Sequence, residues 1–101
     1  MLKKEDGRLD FTKPAIELER RVRAFNPWPG TWFDWKGAPL KILRASVSEA
    51  KSPGVGRRLI VEGRPAFGTG DGILVLEEVQ PAGKKHMPGN AFLAGARDWM
   101  E

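Results

Sequence analysis

A chain of 101 residues, 41% hydrophobic and 30% charged, has the mixture of one globular domain. It is too short to hold both a core and a deep two-substrate cleft. With no cysteine and one histidine, His86, it excludes disulfides, thiolate or two-histidine metal sites and a cysteine nucleophile. No apolar run approaches the ~20 residues of a membrane span and no segment resembles a signal peptide, so a cytoplasmic location without membrane contact is expected.

The formal net charge of +4 is unevenly spread. Residues 1–30 carry seven basic and five acidic side chains, residues 31–70 seven and three, and residues 71–101 three and five. A basic middle beside an acidic end suits a surface that turns one positive face to a polyanion, and a high-pI protein without a charged partner is the plainer alternative.

Residues 1–10 are polar, lack an apolar period and read as a linker or arm, with Lys3 and Lys4 placed to reach a phosphate. Residues 11–101 read as a single domain. A helix is predicted from Pro14 to Phe25: Thr12 can cap it, and Pro14 in the first turn loses no needed hydrogen bond. Ala15, Leu18, Val22 and Phe25 form its apolar stripe, with Arg20 and Arg23 on the wet side. Asn26-Pro27-Trp28-Pro29-Gly30 then stops it.

Strand signals follow. Thr31–Trp35 ends at the Lys36-Gly37 turn, with Phe33 and Trp35 on the inner face and Trp32 facing the other way. In the run Leu40–Val47, residues Leu43, Ala45 and Val47 share one face and Leu40 and Ile42 the other, which suggests a twist or bulge. Without a bulge, Lys41 and Arg44 would point to opposite faces and could not act together. Leu59–Val61 is a third strand. Pro65–Thr69 is a fourth, whose proline suggests an edge strand or a strand's first residue. Gly70-Asp71-Gly72 is a hairpin turn into a buried fifth strand that begins at Ile73. Gln80–His86 is a basic loop, and a last helix is expected from Gly89 or Asn90 to Trp99. Mainly β with flanking helices, the pattern reads as a small five-stranded antiparallel barrel.

No catalytic site is expected. Gly68-Thr69-Gly70-Asp71-Gly72 has no helix pattern after it, so a hairpin is the better reading than a phosphate loop. Glu77 and Glu78 are adjacent in a strand and point apart. The tryptophans and phenylalanines could stack on unpaired bases, but a domain this small needs most of them for its core. Basic residues recur in separate elements: Lys3-Lys4, Arg20 and Arg23, Lys41 and Arg44, Arg57-Arg58, and Lys84-Lys85. Such a scatter suits phosphate-backbone contact better than base reading.

Arg23-Ala24-Phe25-Asn26-Pro27-Trp28-Pro29-Gly30-Thr31-Trp32, Thr69–Leu74 and Val79-Gln80-Pro81-Ala82-Gly83-Lys84-Lys85-His86-Met87, in that order, resemble the C-terminal domain of the methionyl-tRNA formyltransferase family. The leader Lys4–Phe11 looks like that family's interdomain linker. The resemblance implies an OB-like five-stranded barrel. It implies a full enzyme that moves a formyl group from 10-formyltetrahydrofolate to the methionyl amino group of initiator tRNA. The family's catalytic residues belong to a separate N-terminal domain, so no catalytic residue, metal or cofactor site is carried over to this chain. Its expected partners are initiator methionyl-tRNA and that N-terminal domain, in a monomer. Lys3, Lys4, Lys84 and Lys85 match the family's linker and basic loop as tRNA contacts; Arg20, Arg23, Lys41, Arg44, Arg57 and Arg58 are added from charge alone. Two departures stand out: Pro88-Gly89-Asn90 at the last helix start, and the charged, proline-bearing stretch from Arg57 to Gly68. The alternatives are the equivalent domain of a formyltransferase acting on a sugar nucleotide or of a formyltetrahydrofolate dehydrogenase, and a structural or protein-binding barrel.

Overall fold

Pro14 takes the N-cap position of the first helix, α1 (Ala15–Phe25), and buries Ala15, Leu18 and Val22 along one stripe. This computed structural model describes residues 3–100; Met1, Leu2 and Glu101, the outer ends of the expected linker and domain, lie outside the described residues. Thr12 does not cap α1. Its hydroxyl and backbone N–H both donate to Asp10 Oδ1, at 2.6 and 3.0 Å, and these two bonds hold the Asp10 carboxyl below the ordinary carboxylate range.

The strands are β1 (Thr31–Trp35), β2 (Ala38–Ser48), β3 (Arg58–Val61), β4 (Arg64–Gly68), β5 (Ile73–Pro81) and β6 (Met87–Pro88). All pair antiparallel in the order β1-β2-β5-β4-β3, with β6 on β5. Six strands therefore replace the expected five, because a two-residue strand ending in proline carries no alternation that a sequence could show. β4 lies inside the sheet order and begins at Arg64, so Pro65 is neither in an edge strand nor its strand's first residue, the two places its proline suggests. Pro65 is tolerated because pairing with β5 starts only at Ala66.

Register shifts around Arg44 mark a bulge in β2. Leu40 and Ile42 are buried before it, and Ala45 and Val47 pack on the same core after it. One extra residue moves the inward set from even to odd positions and leaves Lys41 and Arg44 both exposed.

The ladder leaves β1 and β3 at its two ends, with no backbone pairing between them among the described residues. Trp99 occupies the interval. Its ring meets Phe33 and Trp35 of β1 and Phe67 of β4, and its indole N–H donates to the Leu59 carbonyl of β3 at 3.0 Å. The helix before it, α2 (Gly89–Gly95), stops four residues short of the expected end. At Ala96 the backbone leaves helical angles (φ −105°, ψ 67°), and its N–H bonds to Phe92 and Leu93 carbonyls. Met100, just beyond Trp99, is exposed.

Lys36, in the β1–β2 turn, clasps the same C-terminal segment through Asp98, and that bond holds the Asp98 carboxyl below its ordinary range. A depressed folded pKa contributes stability above the unfolded value, which is lost as pH falls through the folded one. Lys36→Met should return the Asp98 titration, followed by carboxyl NMR, toward the ordinary range.

The leader is folded onto this frame. Lys4–Gly7 forms a 3-10 turn, Gly7 and Leu9 are buried, and the Leu9 N–H donates to the Trp32 carbonyl at 3.0 Å. Phe11 stacks on Phe67, ring centroids 4.3 Å apart, and meets Phe33 edge-on.

Candidate nucleic-acid interface

Strand register builds one row across the outer face of the sheet. Trp32 of β1 stands opposite Lys41 of β2, and Lys41 opposite Gln80 of β5. The leader closes one side: the Lys4 carbonyl accepts the Trp32 indole N–H at 3.0 Å, and the Arg8 guanidinium lies 5.1 Å from the Trp32 ring while pairing with Asp34 at 2.7 Å.

The loop after β5 closes the other side. Lys84 N–H donates to the Pro81 carbonyl at 3.0 Å with Gly83 at φ 73° in the third position, a turn that needs glycine there. Gln80 Nε2 donates to the Lys84 carbonyl at 2.9 Å and holds the loop against the sheet. Trp28 and Pro29 enter from the end of α1. The result is a groove of about 390 Å³ walled by Lys4, Trp28, Trp32, Pro39, Lys41 and the Gln80–Gly83 backbone and side chains.

The anticipated basic residues divide into separate groups. Lys4 and Lys41 line the groove. Lys3 is exposed on the same leader turn, and Lys84 and Lys85 are exposed on the bounding loop. Lys84 also edges a neighbouring hollow with Trp35, Met87 and Phe92. Arg23 and Arg44 share a further depression with Asn26, where Arg23 pairs with Glu19 at 2.7 Å. Arg20 is exposed on α1 and lines neither of these three depressions.

Arg57 is exposed just before β3, at the far end of the strand order. Arg58 belongs to the seam: Nε donates to the Trp99 carbonyl at 2.6 Å, and the guanidinium lies 5.3 and 5.8 Å from the Trp35 and Trp99 rings. Sequence reasoning passed over Gln80 and Arg8, and weighed Trp28 only within the tryptophan set, where a core role was favoured. Trp28 had a usable signal, since an indole flanked by prolines in a helix-stopping turn has no core-facing periodicity to join.

Ammonium groups spaced around a shallow groove can meet phosphate oxygens, and flat indole and proline walls can meet sugars or bases. Among the described residues no group of three His, Asp or Glu side chains is placed to hold a metal. Among the described residues no helix is long and apolar enough to cross a membrane.

Fold and groove together define a small antiparallel β domain whose outer face is basic and carries tryptophan. Residues 1–97 match the model of the formyl transferase C-terminal domain, and the chain belongs to that family. It is 48% identical over 98 residues to methionyl-tRNA formyltransferase of Chloroflexus aurantiacus, covering 94% of this chain and 32% of that protein. It is 44% identical over 99 residues to methionyl-tRNA formyltransferase of Roseiflexus castenholzii, covering 96% and 32%. The chain thus spans about a third of the length of the curated relatives it matches. Among solved structures it resembles HypX from Aquifex aeolicus in complex with tetrahydrofolic acid, with a TM-score of 0.73 and 20% identity over 91% of this chain and 17% of that one. A multiply substituted HypX variant gives 0.77 and 18% over 100% and 19%. At such identities the likeness concerns the fold.

Proposed function

We propose that this domain holds initiator methionyl-tRNA by its phosphate backbone, while a separate N-terminal domain transfers the formyl group from 10-formyltetrahydrofolate to the methionyl amino group. In this reading the chain is the non-catalytic part of a cytoplasmic, monomeric methionyl-tRNA formyltransferase. The observation that carries it is the meeting of Lys4, Lys41 and residues 80–83 at one groove, from elements far apart in the sequence, with Lys84 and Lys85 exposed on the same loop just beyond it. The fold is read as an OB-like barrel, with Trp99 filling the interval between β1 and β3 where ladder pairing stops.

Contact through Z phosphates lowers log affinity against log salt with a slope of about −0.9Z on a duplex. Titration of the chain with initiator and elongator tRNA at two salt concentrations should give weak affinity, about 10⁻⁴ to 10⁻⁶ M, with little discrimination between the two. Lys84→Ala/Lys85→Ala should reduce the slope by about 2 and weaken both tRNAs alike. An absence of binding at low salt would turn the domain into a spacer or the accessory domain of a relative that does not act on tRNA.

A further inference from the structure

We propose that the groove takes a single unpaired nucleotide, its base laid on the Trp28 indole and its flanking phosphates on Lys4 and Lys41. The inference rests on the reading of the domain as an RNA holder and deepens it, since phosphate contact alone needs no aromatic platform. Trp28 is 65% exposed, whereas Trp99 is 1% exposed and Trp35 packs on Phe92 and Trp99. Among the described residues no aromatic ring pairs with Trp28, and no hydrogen bond holds its side chain.

So large an apolar surface left in water is worth covering by a flat partner. The backbone that carries it is fixed in advance: Pro29 beside it is buried, and the Gly30 N–H closes the turn onto the Phe25 carbonyl at 2.8 Å. Stacking there has to order only the indole, not the turn beneath it.

Trp32 is a wall and not a second platform, because its N–H is committed to Lys4 and its ring to the Arg8 guanidinium. A volume of about 390 Å³ lies in the small-ligand range of roughly 300–1,000 Å³. Bases inside a duplex are stacked on their neighbours and cannot offer a free face, so the occupant is an unpaired residue. Gln80 Nε2 is engaged by the Lys84 carbonyl, which leaves Oε1 to accept from an exocyclic amino group. Lysines on two sides complete the charge complement for the phosphates.

The test compares a short adenosine oligoribonucleotide with a long RNA duplex, in which nearly every base is stacked on both faces, on wild type, Trp28→Ala and Trp28→Phe, at low salt. Trp28 is exposed, so unchanged circular dichroism and Tm are expected for both variants. Trp28→Ala should weaken the oligonucleotide by about 5- to 150-fold, corresponding to ~1–3 kcal/mol of stacking, and leave the duplex within about twofold. Trp28→Phe should recover most of the loss, and wild-type tryptophan fluorescence should quench on oligonucleotide binding.

Equal loss for both probes, or no loss for the oligonucleotide, overturns the nucleotide site while tRNA holding stands. Trp28-dependent oligonucleotide binding without tRNA or duplex binding upholds the site and removes the tRNA-holding function. If neither probe binds, both fall.

Discussion

Trp99→Ala is expected to cost about 3–5 kcal/mol, the range for removing a large aromatic from a core. That is a large part of the ~5–15 kcal/mol that holds a domain of this size. The indole is 1% exposed and touches rings from β1, β4 and α2. Its loss opens a cavity between the two ends of the sheet, where no backbone ladder can take up the slack. It also strips the Leu59 carbonyl of its indole donor. Urea unfolding should show the fall in midpoint, with Tm lower by roughly 4–8 °C for each kcal/mol. Trp99→Phe should fall between the two, because a ring remains but Leu59 keeps no donor. A Trp99→Ala variant within about 1 kcal/mol of wild type would mean that the sheet ends do not depend on this side chain.

Much of this arrangement is legible in the sequence, in specific places. Ala15, Leu18 and Val22 give α1 by period alone. The mismatch between Leu40 and Ile42 on one parity and Ala45 and Val47 on the other gives the β2 bulge, and with it the shared exposure of Lys41 and Arg44. The end of α2 is not legible. Phe92, Ala96 and Trp99 keep a spacing of four and then three, which fits a helix equally well as a short helix followed by a turn returning the same face to the core.

The groove is legible only in its parts. Lys41 is visible as a basic strand residue, but its neighbours Trp32 and Gln80 come from strands before and after β2. Register between strands is fixed by packing that no local pattern reports. The same holds for Arg57-Arg58, a doublet to the eye. Strand alternation and Trp99 separate an exposed residue from one built into the seam.

Gly7→Ala should lower both stability and RNA affinity, and the two effects have one cause. A Cβ on Gly7 would stand 1.8 Å from the Gly30 carbonyl oxygen and 3.0 Å from its carbon, both backbone atoms that no rotamer change can move. The leader must lift from β1, exposing Leu9 and breaking the bonds from the Leu9 N–H to Trp32 and from the Trp32 indole to Lys4. A loss of about 2–4 kcal/mol is expected by urea unfolding. Lys4 leaves the groove with the leader, so tRNA affinity should fall at least as far as in Lys4→Ala, with a salt slope shallower by about 1. Gly95→Ala is the matching control. Its added carbon meets nothing within 4 Å, and it ends α2, where alanine favours the helix by up to ~1 kcal/mol. The same one-carbon addition should thus act with opposite sign at the two positions. If Gly7→Ala is as harmless as Gly95→Ala, the leader does not rest on Gly30, and Lys4 must be removed from the groove and from the residues proposed to contact tRNA.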